Sequence, residues 1–158
     1  MSYQANINTD DLVVGETIGE FANALKDKLD NALTDITGLS PSACSAIVHI
    51  GHEPHLPIER LRKLLELQHS SVVRLIDRLE AQGIVSREKG RIRDLRQVSL
   101  SLSSIGEEYF SKILKTRHEI LNNVIADFSD DEKQTLSHFM MRLTLPVINP
   151  HKKVSLLT

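Results

Sequence analysis

The feature of this 158-residue chain that most narrows its fold is a change of hydrophobic period at Gly83. Up to that glycine apolar residues recur every three or four positions, from Ile84 to Leu102 they alternate with polar ones, and beyond Ser104 the wider spacing returns. Spacing of three and four lines one face of a helix, whereas alternation lines one face of a strand. A short β ribbon is therefore embedded in a helical chain, and the expected fold is mainly α with a small β wing.

The helices can be placed by their stripes and their ends. Val14, Ile18, Phe21, Leu25, Leu29, Leu33 and Ile36 form one long amphipathic stripe between Leu12 and Ile36. Ser40 before Pro41 opens a second helix, because serine caps open N–H groups and proline needs none at the first position. That helix, to about His52, is apolar nearly all round and should be central. Glu53 to Leu56 read as a break, and Pro57 opens a third helix with Ile58, Leu61, Leu64 and Leu65 inward. A fourth helix spans roughly His69 to Gln82 with Val72, Val73, Ile76 and Leu79 on its buried side and Gly83 as its stop. Ile84 to Ser86 and Val98 to Leu102 fit two strands around a turn at Lys89 to Arg93. Ser104 with Glu107, and Ser129 with Glu132, have capping-box spacing. They introduce a long helix carrying Tyr109, Ile113, Leu121, Val124, Ile125 and Phe128, and a last one carrying Leu136, Phe139, Met140 and Leu143 and ending at Pro146.

Charge is distributed unevenly. The net charge is −2, yet residues 57–96 hold ten Lys or Arg against six acids, while residues 1–56 hold two against eight. A local cationic block in an acidic chain suits a phosphate footprint, and equally a solvated charged face. No apolar run reaches the roughly 18 to 20 residues needed to cross a bilayer, and the N-terminus has no signal-peptide pattern. A cytoplasmic protein is expected. The single cysteine, Cys44, excludes an intramolecular disulfide and a Cys-rich zinc site.

Two helices joined by a short turn at Glu66, Leu67 and Gln68, then a hairpin, make a winged helix-turn-helix. On the fourth helix Ser71, Arg74 and Arg78 point away from Ile76, and Gln68, His69 and Ser70 sit at the positive end of the helix dipole, where a phosphate binds well. The N-terminal part of such a helix enters the major groove, where Arg pairs with guanine and Gln with adenine. Arg74 and Gln68 are the candidates for base edges. The hairpin bears Arg87, Lys89, Arg91, Arg93 and Arg96 against Glu88 and Asp94. A narrow arginine loop reaches the minor groove or clamps phosphates, and the competing reading is an edge hairpin protected by its charges.

Two segments, LRKLLELQHSSVVRLIDRLEAQGIVSRE (Leu61 to Glu88) and DLRQVSLSLSSIG (Asp94 to Gly106), resemble the MarR family of bacterial transcription regulators. The family pattern V-x-R-L-x-D-R-L-E-x-x-G is met from Val72 to Gly83, and the wing pattern D-x-R-x5-L-T-x-x-G by Asp94, Arg96, Leu102 and Gly106, with Ser103 in place of threonine. The resemblance implies that Ser70, Ser71 and Arg74 sit on double-stranded DNA, that Arg96 enters the minor groove and that Asp94 braces the wing. Glu66 departs from the family at the turn glycine, and Gln68 at the usual Ser, Thr or Asp cap. The resemblance also implies a homodimer on an inverted-repeat operator, with residues 1–36 and 103–158 as helical dimerisation region and residues 37–102 as the DNA-binding region. A repressor released by a small aromatic or anionic effector is expected, with Phe21, Leu25, Ile47 and His52 as candidate pocket residues and plain core packing as their competing reading. The rival function is a helical protein–protein adaptor that does not touch DNA.

His49, His52 and His55 fall within seven residues, but their spacing across Pro54 is poor for a metal, and no metal or other cofactor is expected. Cys44, amid Ala43, Ala46 and Ile47, reads as a small buried hydrophobe rather than a redox sensor. There is no Gly-rich phosphate loop, no metalloprotease helix and no nucleophile with a base, so no enzyme is expected.

Overall fold

The computed structural model describes residues 9–89 and 98–148. The chain divides into two compact units, one running to His118 and the other beginning at Glu119.

The first unit is built on α1 (Thr9–Thr37), α2 (Pro41–His52), β1 (Leu56–Pro57), α3 (Ile58–Leu64), α4 (His69–Ala81), β2 (Val85–Lys89), β3 (Val98–Leu102) and most of α5 (Ser104–Val124). As expected from its apolar circumference, α2 is central: Ala46 and Ile47 are wholly buried, and Ile50 nearly so. The Ser40 hydroxyl accepts from the Ala43 N–H at 3.3 Å, so the Ser-Pro start behaves as its residue types dictate. Leu56, Leu61, Val72, Ile76, Leu79, Ile84, Leu100 and Ile113 complete a core to which every other element of this unit contributes. The Lys112 ammonium donates to the Ile36 carbonyl at 2.5 Å, so α5 satisfies one of the open carbonyls at the end of α1.

The sheet has three strands in the order β1-β3-β2, all antiparallel, where the sequence suggested a two-stranded hairpin. The extra strand is the stretch read as a break: Leu56 pairs with Leu100, and Pro57 with Ser99. A two-residue strand ending in proline carries no periodic signal, and proline, lacking an N–H, is tolerated at a sheet edge. The strand β2 runs to Lys89, three residues beyond the expected strand end at Ser86, and pairs Val85 with Leu102 and Lys89 with Val98.

Other differences are local. Leu64, expected inward, is 44% exposed, because α3 stops there after two turns. On α4 the buried stripe is Val72, Leu75, Ile76 and Leu79, with Val73 at its margin. The cap of α5 is Ser103, one residue before the expected one: its Oγ accepts from Gly106 N–H at 3.1 Å. Gly83 ends α4 as read, with φ +71°. Ile84 N–H reaches back to the Leu79 carbonyl and Gly83 N–H to Glu80, both at 2.9 Å, which is a Schellman motif.

The second unit holds the end of α5 and α6 (Asp130–Ile148). The Ser129–Glu132 box forms reciprocally: Ser129 N–H donates to Glu132 Oε2 at 2.8 Å and Glu132 N–H to Ser129 Oγ at 3.3 Å. Those bonds hold the Glu132 carboxyl below its ordinary range. The long helix ends at Val124, leaving Ile125 to Phe128 in a turn. Pro146 does not end α6, since its own φ is helical and it lacks only one N–H near the end of the helix. No described residue of this unit is buried; Phe139, Met140, Met141 and Leu143 are all exposed. No helix among the described residues is long and apolar enough to cross a membrane.

Candidate nucleic-acid interface

The face of α4 opposite its buried stripe carries small polar and cationic residues together with Asp77. Ser70, Ser71, Arg74 and Arg78 are all exposed, and among the described residues Arg74 and Arg78 have no ion-pair partner. His69 and Ser70 open the helix, and Gln68 stands at its N-cap with φ −69° and ψ 150° and no capping bond from its side chain. A helix entrance with no side-chain cap keeps its N–H groups and positive dipole end available to an anion. All six helix residues singled out in the sequence are thus exposed, at the entrance of α4 or along its outward side.

The turn before α4 is held by α3. Arg62 pairs with Glu59 at 2.7 Å, and its Nη1 also donates to the Leu67 carbonyl at 3.5 Å. That contact keeps the Glu59 carboxyl below its ordinary value, and raises the Arg62 guanidinium above its own. Glu66 adopts φ +53°, the left-handed conformation for which glycine is best suited, so the departure from the family pattern is accommodated at some backbone strain.

The wing is covered only in part. Arg91, Arg93, Asp94 and Arg96 lie outside the described residues, as does the side chain of Lys89. Arg87, the hairpin cation whose side chain is described, departs from the sequence reading. It does not project from the ribbon: it donates to Asp77 at 2.6 Å and Glu80 at 2.7 Å on α4. Arg60 likewise pairs with Glu53 at 3.0 Å. Part of the cationic block thus serves internal pairing, which a count of charges along the chain does not reveal.

Two contacts escaped the sequence. His55, with φ +64°, places Nδ1 3.2 Å from Ser101 Oγ and 3.4 Å from Glu88 Oε2, at the foot of the wing. Gly106 lies so close to Ile84 and Leu102 that a Cβ would clash with the Ile84 carbonyl and stand 3.0 Å from Leu102 Cβ. The glycine of the wing pattern was the one signal for the second; nothing in local pattern pointed to the first.

The four candidate effector residues are differently placed. Ile47 is sealed in the core, Leu25 is half-buried, Phe21 is 45% exposed, and His52 stands edge-on to Phe110 with ring centroids 5.2 Å apart. A crevice of about 260 Å³ between α1, α2 and α3 is lined instead by Lys26, Asp30, Ser42, Ser45, His49 and Leu64, among others. Cys44 is buried, with its thiol pushed up by burial and its Sγ 3.5 Å from Thr37 Oγ1. Among the described residues no group of three His, Cys, Asp or Glu could hold a metal ion.

Comparison with known proteins agrees with this geometry. The model of the MarR family matches residues 37–96. The HTH-type transcriptional repressor MdtR of Bacillus subtilis (strain 168) is 23% identical over 106 residues, covering 67% of this chain and 68% of that protein. A putative transcriptional regulatory protein for the hcr operon of Thauera aromatica is 24% identical over 146 residues, covering 88% and 87%. In fold, a MarR family protein from Bacillus stearothermophilus superposes with a TM-score of 0.78 at 22% identity, over 90% of this chain and 99% of that one. With the family match falling on residues 37–96, the helix-turn-helix and the first strand of the wing, and the helices around them sharing the fold of that MarR protein, this chain carries the winged helix-turn-helix of a MarR-type, DNA-binding transcriptional regulator.

Proposed function

We propose that this regulator works as a homodimeric repressor that reads an inverted repeat in double-stranded DNA and leaves it when a small aromatic or anionic molecule binds. The observation that carries the reading is the contrast among its cations: Arg60, Arg62 and Arg87 are engaged within the protein, whereas Arg74 and Arg78 stand exposed on one stripe beside Ser70 and Ser71. Cations held out of internal pairs are those available to phosphates and base edges. In this reading Arg74 and Gln68 meet base edges, while His69, Ser70, Ser71 and Arg78 hold the duplex. Lys89, Arg91, Arg93 and Arg96 in the wing hold its flank, with Asp94 as their brace.

The division of labour follows. Residues 37–102 form the DNA-binding region, and residues 1–36 and 103–158 the dimerisation region. Support comes from the apolar residues that each unit leaves open: Leu12, Val13, Val14, Ile18 and Phe21 on α1, and Phe139, Met140 and Leu143 on α6. A second copy would cover such faces, and a two-fold dimer sets its reading helices about 34 Å apart, one duplex turn. The repressor assignment draws on MdtR, whose name describes that protein as a repressor. Release by an effector draws on the crevice between α1, α2 and α3, where Lys26 and His49 offer polar contacts beside Leu64.

Selection of duplexes from a random pool, followed by binding measured across salt concentrations, tests the proposal. A palindrome should emerge, and affinity should fall steeply with salt as phosphate contacts release counterions. Arg74→Ala is expected to cost about 1–3 kcal/mol on the selected duplex and less on a random one. Equal loss on both removes its base-reading role, and absence of retention on any duplex leaves the protein–protein adaptor standing.

A further inference from the structure

Arg87 sits on β2, two residues before the wing strand ends, with its side chain only 26% exposed. Its two terminal nitrogens go to different carboxylates: Nη1 to Glu80 Oε2 at 2.7 Å and Nη2 to Asp77 Oδ1 at 2.6 Å. Both acceptors belong to α4 and lie one helical turn apart. A planar guanidinium can span two such groups with fixed geometry, which a single ammonium cannot.

The fork matters because of where it grips. The strand β2 is also tied to α4 through the Schellman turn at Gly83, a junction at the very end of the helix, and through the core, where Val85 shares a buried cluster with Ile76 and Leu79. Core packing and a junction at the helix end fix the angle between the two elements coarsely; an attachment farther up the helix, on its outer side, holds it against small rotations. Asp77 is also no bystander. At about 100° per residue it projects about 60° round the helix from Arg74, with Arg78 about 40° to the other side. Asp77 thus borders the reading face, where an uncompensated carboxylate would repel phosphate.

We propose that Arg87 is a positioning residue for DNA recognition: by forking Asp77 and Glu80 it sets the angle of the wing strand against the reading helix, and it does not itself touch DNA. The inference rests on the reading of α4 as the DNA-reading helix.

The test uses the full chain, the tightest duplex recovered from a random pool, and a scrambled duplex of the same length. R87Q is expected to bind the selected duplex about tenfold more weakly and the scrambled one less than about threefold, with an unchanged salt slope, because geometry is lost and no counterion contact is. In a D77N/E80Q background the same substitution is expected to cost less than about twofold, since the partners through which Arg87 acts are already gone. R87K, which keeps the charge without the fork, should lose discrimination nearly as R87Q does, and it supplies the same reading if R87Q folds poorly. A phosphate contact predicts the opposite: near-native binding by R87K, equal loss on both duplexes, and a salt slope lower by about one for R87Q. That pattern, no loss at all, or an equal cost in both backgrounds overturns the inference alone. A native chain that retains no duplex overturns the DNA-binding reading together with it.

Discussion

At the scale of single residues, Gly106 and His49 illustrate how position converts chemistry into stability. Gly106 was legible as part of the wing pattern, yet its reason is tertiary: the first turn of α5 lies against the Ile84 carbonyl and Leu102. Gly106→Ala is expected to destabilise the fold by about 2 kcal/mol, through overpacking against backbone that cannot step aside, and chemical denaturation would show it as a lower midpoint. His49 is half-buried on α2, and burial, then the neighbouring His52 and Arg117, hold its imidazole below the ordinary value. The unfolded chain therefore takes up a proton near pH 6.5 that the folded chain accepts only at lower pH, so stability is full above about pH 6.5 and declines as pH falls through it. His49→Gln should flatten that acid-side decline, as urea midpoints at about pH 7.5 and about pH 5.5 would reveal. An unaltered decline would assign it to other groups. Cys44 needed no tertiary contact to be read correctly, because a cysteine among Ala43, Ala46 and Ile47 lies on the apolar side of its helix, which faces the core.

At the scale of elements, helix ends were read better than helix limits. Ser40, Gly83 and the Ser129–Glu132 box act through neighbours within four residues, so local sequence suffices to predict them. The cap of α5 slipped from Ser104 to Ser103 because two adjacent serines offer the same chemistry, and the Ser103 hydroxyl wins by also donating to the Gly83 carbonyl at 2.5 Å. The entrance of α4 is the instructive case, since Gln68 caps nothing. Gln68→Ser should stabilise the folded protein by about 1 kcal/mol by supplying the missing cap, seen as a higher thermal midpoint, and should at the same time reduce discrimination among duplexes. If stability rises and discrimination does not change, Gln68 has no part in reading bases. The strand β1 could not be found beforehand: two residues, one of them proline, become a strand only because β3 lies alongside.

At the scale of the whole molecule, the exposed apolar residues of α1 and of α6 are those that the proposed dimer would cover. From Leu12 to Ala24 every residue of α1 is exposed, and Phe139 on α6 is 51% exposed. Placing a charge in such a face strands it unpaired wherever a second copy packs, so Phe139→Glu is expected to shift sedimentation toward a monomer. Losing the linkage between two half-site contacts should then weaken binding to an inverted repeat by about 100-fold or more, with little change on a single half-site. A variant that stays dimeric at micromolar concentration would place the subunit contact elsewhere.

By itself the sequence determined the helix-rich fold with its wing, the MarR-type helix-turn-helix, and the outward stripe of α4, because each rests on periodicity or on motifs confined to short segments. Tertiary structure decided which cations remain free. Arg74 and Arg87 look alike in a string of letters, but one stands exposed, with no ion-pair partner among the described residues, and the other lies between two carboxylates of a helix seven and ten residues earlier. Whether a charge faces solvent or a partner depends on the angle at which a strand crosses a helix, and that angle comes from tertiary contacts rather than from neighbours in the chain.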